Sequence, residues 1–93
     1  MQVEIRGQGV ELNEVARGRL GRRMDFALGR LGAGVSRVWV FLAADGPSTR
    51  CRILVRLAGR PDVLAEEKDH STSRAIERTV FKAGLAARKS LSR

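Results

Sequence analysis

At 93 residues the chain has room for one core, since a second would need roughly 50 more residues to exclude water. A composition of 43% hydrophobic and 30% charged residues suits a packed globule and excludes a disordered chain, and no stretch approaches the ~20 consecutive apolar residues of a membrane span. The 18 Lys and Arg outnumber the 10 Asp and Glu to give a net charge of +8, which points to a polyanionic partner, with solubility alone as the bland alternative.

Residues 1–6 alternate, with Met1, Val3 and Ile5 on one face and Gln2, Glu4 and Arg6 on the other, the pattern of a half-buried strand that Gly7-Gln8-Gly9 is expected to break. Asn13 can cap a helix whose first turn holds Glu14 against the positive helix end. This helix is expected to run to about Leu31 and to bury Leu12, Ala16, Leu20, Met24, Ala27 and Leu31 along one stripe. Gly18, Gly21 and Gly29 each weaken it by up to ~1 kcal/mol relative to Ala, so packing must hold it. Gly32-Ala33-Gly34 stops the helix, and residues 35–44 read as a strand in which Val38, Val40 and Leu42 share a face. The turn Asp45-Gly46-Pro47-Ser48 leads into a strand over 49–57, where Cys51, Ile53, Val55 and Leu57 alternate with Arg50, Arg52, Leu54 and Arg56. A turn around Gly59-Arg60-Pro61 precedes a short strand over 63–67, and a helix from about Ser71 to Ser90 carries Ile76, Val80, Ala83 and Ala87 as its core stripe.

The order predicts a single α+β domain over 1–93, β-α-β-β-β-α: a four-stranded mixed sheet with both helices packed on one face, resembling a double-stranded-RNA-binding-like domain. The first two strands are expected to be parallel through a right-handed crossover, and the last three to form an antiparallel meander.

The excess charge is concentrated late in the chain: residues 1–45 carry 7 basic and 5 acidic groups, residues 46–93 carry 11 and 5. At 100° per residue, Arg74, Arg78, Lys82 and Lys89 fall in a narrow sector of the last helix opposite Ile76 and Val80, a basic ladder with rungs ~5–6 Å apart, near the spacing of phosphates along an RNA strand. Arg88 and Arg93 extend its positive end, and Glu77 is the only acid from His70 onward. The first helix adds Arg19, Arg22, Arg23 and Arg30 along one flank of its apolar stripe and Arg17 on the other. Two helices side by side would pool these cations into a surface that reads phosphate geometry by shape, because few aromatic residues are available for base stacking. The competing reading, a solvated outer face, usually mixes signs for helical pairing, and this one does not. Arg outnumbers Lys by 15 to 3, which suits bidentate contact with phosphate, although a GC-rich genome would produce the same bias.

Trp39 and Phe41 alternate away from Val38 and Val40, so with Leu54 and Leu64 they are expected to form an apolar patch on the outer sheet face. That patch is either a partner surface or only the strand-forming side of a small sheet. Catalytic readings are weak. His70 stands alone beside a helix cap, Cys51 points toward the predicted core, neighbours Glu66 and Glu67 face opposite ways on a strand, and Gly29, Gly32 and Gly34 follow a helix instead of a strand. No enzyme activity, catalytic residue, metal, cofactor or small-molecule substrate is expected. The single Cys51 fits a reducing compartment, and residues 1–6 have no apolar run of signal-peptide length, so the expected location is cytoplasmic, off the membrane.

The opening Met1-Gln2-Val3-Glu4-Ile5-Arg6-Gly7, Val10-Glu11-Leu12 leading into a helix with Arg17, Ala65-Glu66-Glu67, and Ala75-Ile76-Glu77 followed by Lys82, in that order and spacing, resemble the short ribosome hibernation-promoting factors, the group that includes ribosome-associated inhibitor A. The resemblance spans nearly the whole chain. It implies a domain that lies in the small ribosomal subunit where mRNA and tRNA would sit, contacts ribosomal RNA through both helices, and stops translation under stress or in stationary phase. Lys82, Arg88 and Lys89 match basic positions of the family's last helix, and Arg17, Arg22 and Arg23 match those of its first. Leu85 stands where the family often has a basic residue, Ser73 where a tyrosine is common, and glycines in the first helix are atypical. Long relatives carry a further C-terminal dimerising domain, and this chain resembles the short form. Two alternatives stay open: an interaction module using Trp39, Phe41 and Leu54, as a weak homodimer or in a sigma-factor-modulating role, and a general binder of double-stranded RNA.

Overall fold

The computed structural model describes residues 1–92, so Arg93 of the expected basic end lies outside the described residues. The elements are β1 (Gln2–Gln8), α1 (Glu14–Leu28), a 3-10 segment (Gly29–Gly34), β2 (Val35–Asp45), β3 (Ser48–Leu57), β4 (Val63–Asp69) and α2 (Thr72–Leu91). One four-stranded sheet, in the order β1-β2-β3-β4, joins a parallel β1–β2 pair to an antiparallel β2–β3–β4 meander. This is the expected α+β architecture.

Register decides which face is buried. Ile5 lies opposite Val40, Val40 opposite Ile53, and Ile53 opposite Ala65, so one row of apolar side chains crosses all four strands. The flanking rows supply Val38, Leu42, Cys51 and Val55, all fully buried. Leu20, Met24 and Leu28 descend onto this face from α1, and Ala75, Val80, Ala83 and Ala87 from α2. Burying a side chain of the Val, Leu or Ile class contributes roughly 1.5–3 kcal/mol, so this shared core holds α1 despite its glycines. Of the two buried polar side chains among the described residues, Thr79 is fully buried and donates its hydroxyl to the Ala75 carbonyl at 2.6 Å.

Both helices begin as the sequence predicts: Asn13 accepts from the Ala16 amide at 2.8 Å, and Ser71 from the Arg74 amide at 3.2 Å. Several boundaries differ, β2 running on to Asp45 and β3 starting at Ser48, one residue beyond each expectation. β1 continues through Gly7 to Gln8, because the chain folds back so closely that a Cβ on Gly7 would stand 2.8 Å from the Val10 carbonyl oxygen. The turn comes at Gly9, whose φ of 70° suits glycine. The α-helix ends at Leu28 and not Leu31, since Gly29 starts a 3-10 segment and Gly32 turns with φ 58°. Leu28 thereby becomes fully buried, while Leu12, Ala16, Ala27 and Leu31 are half-buried at the edge of the core. β4 extends past Glu67 to Asp69, pairing with β3 from Thr49 to Val55, and α2 reaches Leu91, one residue beyond the expected end.

The two helices run side by side in the same direction. Arg23 on α1 is bridged to Glu77 on α2, and further along both helices Ala27 faces Gly84. A Cβ built on Gly84 would meet the Ala27 carbonyl oxygen at 3.6 Å, an ordinary contact.

Two glycine substitutions should therefore behave oppositely in thermal or denaturant unfolding. Gly84→Ala should be neutral or stabilising by up to ~1 kcal/mol, through helix propensity. Gly7→Ala should destabilise by about 1–3 kcal/mol, because a backbone carbonyl must move.

Candidate nucleic-acid interface

Where the carboxylates lie determines which cations remain available. On the outer sheet face, Arg6 and Arg37 reach Glu4, Arg50 reaches Asp45 and Glu66, Arg52 reaches Glu66, Arg56 reaches Asp62 and Lys68 reaches Asp45, at 2.8 to 3.7 Å. This face is a lattice of mixed signs. Arg37 and Arg56, opposite each other across β2 and β3, place their guanidinium carbons 5.0 and 4.8 Å from the Trp39 ring centre. The bare apolar patch expected of Trp39, Phe41 and Leu54 is thus not what the sheet presents. All three are half-buried, Trp39 lies against two arginines, and of the four apolar residues expected there only Leu64, 57% accessible, is exposed.

The basic ladder on α2 is also altered by its surroundings. Glu67 and Asp69 project from the helix side of β4, where Arg78 meets both, at 3.0 and 3.6 Å, and Lys82 meets Glu67 at 3.7 Å. The mixing of signs that the helix itself lacks is supplied by the neighbouring strand. The Ser71 backbone amide holds the Asp69 carboxyl below the usual range, helped by Arg74, Arg78 and His70. Arg74 therefore belongs with the acidic edge of β4, and Arg78 and Lys82 are half-neutralised there. Lys89 is exposed, with no carboxylate partner among the described residues.

The other cations converge between the helices. A groove of about 840 Å³ is lined by Arg19, Arg22, Arg23, Arg30 and Arg88, and no acidic residue is among its walls. Five of the ten expected cations are thereby brought together. Arg23 bridges to Glu77 at 3.0 Å, while Arg19, Arg22, Arg30 and Arg88 have no carboxylate partner among the described residues. Arg17 lies apart and donates to the Ile5 carbonyl at 2.8 Å, tying α1 to β1.

Two residues that the sequence reading passed over stand in this groove. Phe26 and Phe81 are 74% and 67% accessible, although both are large apolar side chains. Aromatic residues are few in this chain, and two of its four stand exposed here. The signal was present in part: Phe26 falls off the apolar stripe, four residues after Arg22 and four before Arg30, so it shares a helix flank with arginines.

Burial pushes the Cys51 thiol up to about 11, with the hydrogen bond from Thr79 acting in the opposite direction. His70 is exposed beside the α2 cap, and Glu66 and Glu67 serve opposite faces of β4. No helix is long and apolar enough to cross a membrane, and among the described residues no group of His, Cys, Asp and Glu could hold a metal ion.

No protein-family model and no curated protein matches the chain. Among solved structures it is similar to the N-terminal domain of Protein Y from Thermus thermophilus, at 22% identity and a TM-score of 0.83, covering 96% of this chain and 98% of that one. It is similar as well to a ribosomal subunit interface protein from Coxiella burnetii, at 16% identity and a TM-score of 0.81, with all of both chains covered. These likenesses establish a shared fold.

Two outcomes follow from the site's electrostatics. Glu67→Gln should free Lys82 and leave Arg78 with Asp69 alone, tighten binding to a polyanion such as heparin and steepen its salt dependence, with stability changed by about 1 kcal/mol or less because the cations of these pairs are about half exposed. An aromatic disulfide reagent should leave Cys51 unmodified in the native protein at neutral pH and label it fully once the chain is unfolded.

Proposed function

We propose that this protein is a ribosome hibernation factor of the short kind, which binds the small ribosomal subunit in the cytoplasm through ribosomal RNA, occupies the channel of mRNA and tRNA, and halts translation without a catalytic step. The observation that carries this reading is the arginine-lined groove between α1 and α2, on a fold shared with a ribosomal subunit interface protein. Four guanidinium groups without carboxylate partners offer planar donor forks to phosphate oxygens, a match of geometry as well as charge.

The remaining surface supports the same orientation. On the outer sheet face each of six cations already has a carboxylate partner and would gain less from a polyanion, whereas the helix face would lose its repulsion on binding one. Arg88 and Lys89 lie in the last turn of α2, and Arg22 and Arg23 lie on α1, so both helices contribute.

Sedimentation of small subunits with the purified protein tests the reading. Replacing Arg19, Arg22, Arg30 and Arg88 together by Gln should abolish cosedimentation while leaving the melting temperature nearly unchanged. If four or five phosphates are engaged, log affinity should fall with log salt at a slope of roughly −3 to −4.5, and a flat response would reject the groove as the binding surface. Unrelated duplex RNA in excess should compete poorly; competition at equal strength would instead identify a general duplex binder.

A further inference from the structure

Neither Phe26 nor Phe81 belongs to the hydrophobic core. Each is more than two-thirds accessible, so neither contributes its full burial to the core, and both line the same groove over a floor of Ala27, Val80 and Leu85. Single exposed apolar residues are ordinary, but two exposed rings in one concave site mark a place where something flat and apolar docks.

The rim restricts what that occupant can be. A second copy of this chain would bring the same net charge of +8 and the same guanidinium groups against each other, at a desolvation cost that nothing among the lining residues offsets. A nucleotide satisfies both parts of the site: its base offers a π face to a phenyl ring, and its phosphate offers oxygens to arginine. Arg30 already holds its guanidinium carbon 5.3 Å from the centre of the Phe26 ring, which leaves the opposite ring face for a base.

The lengthwise order of side chains favours a strand over a single nucleotide. Along α1, Arg19 and Arg22 precede Phe26 and Arg30 follows it, and along α2, Phe81 precedes Arg88. From Arg19 to Arg30 the chain advances by about 16 Å at ~1.5 Å per residue, more than one phosphate can span. In a duplex the base faces are already stacked on their neighbours, so only an unpaired segment can present them.

We infer that the groove between α1 and α2 is a base-stacking site for an unpaired stretch of RNA, in which Phe26 and Phe81 stack nucleobases and the flanking arginines hold the phosphates on either side. The inference deepens the ribosomal-RNA reading and rests on it for the class of partner. It departs from pure shape recognition, because an unpaired base becomes part of what is bound.

The test measures affinity for an eight-nucleotide single-stranded RNA and for the same strand with its central nucleotides made abasic. The wild-type protein should bind the intact strand about tenfold tighter, in line with stacking on aromatic side chains. Phe26→Leu/Phe81→Leu, which keeps apolar area and removes the rings, should lose that preference while retaining the salt slope and the melting temperature. Phe26→Tyr/Phe81→Tyr should keep the preference. Equal binding of the two strands by the wild type, an undiminished preference in the leucine variant, or equal affinity for the corresponding duplex or for AMP would each overturn the inference. So would a leucine variant with altered oligomeric mass and unaltered RNA affinity, which would make the rings a protein interface. These strand measurements decide the stacking inference alone, whereas cosedimentation of the wild-type protein decides the ribosomal reading, so the two can fail independently.

Discussion

A sheet with a single apolar face must be covered, and here two helices supply most of the cover, with Val10, Leu12 and Leu31 packed at its edge. Val38, Val40, Leu42, Cys51, Ile53 and Val55 form the middle of that face, too wide for one helix to seal. β1, β2 and β4 all run in one direction, so α1 leaving β1 and α2 leaving β4 return over the sheet the same way. Their alignment places Arg23 beside Glu77 and Ala27 beside Gly84. A groove between two such helices is the geometric remainder of covering the core, and its walls are whatever the helices carry just beyond their buried stripes.

What the walls carry depends on where acids can reach. Glu4, Asp45, Asp62 and Glu66 serve the outer sheet face and its margin, while Glu67 and Asp69 lie along the edge strand β4, beneath the flank of α2 that faces away from α1. Each exposed pair adds at most about 1 kcal/mol to stability, so this network does little to hold the fold. Its effect is on the field. By pairing Arg50, Arg52, Arg56, Arg78 and Lys82 elsewhere, it leaves Arg19, Arg22, Arg30 and Arg88 without a carboxylate partner in the groove between the helices, where Glu77 reaches Arg23.

The strands were the most legible elements, because period-two alternation directly states which face is apolar; Cys51 to Leu57 in β3 behave as that pattern requires. Helix starts were legible too, since Asn13 and Ser71 act through local hydrogen bonds. The ends were less so. Whether Gly7 continues a strand or breaks it turns on Val10 and Leu12 folding back against it, and whether Gly29 continues α1 turns on the kink at Gly32. For the site, the arginines were legible as cations but not as a set. Angular position on α2 grouped Arg78 and Lys82 with Arg74, yet β4 supplies them with acids, and Arg88, treated as an extension of that ladder, belongs to the groove.

Sequence by itself determined the element order, the apolar face of each strand, the two caps and the positive balance of both helices, since these rest on residue type and on neighbours within a few positions. Tertiary structure alone decided which cations keep an acidic neighbour, that Trp39 lies against Arg37 and Arg56, and that Phe26 and Phe81 share one groove in solvent. The physical reason is distance along the chain: Phe26 and Phe81, like Arg23 and Glu77, are more than fifty residues apart in sequence, and only the packing of two helices on one sheet face brings such positions together.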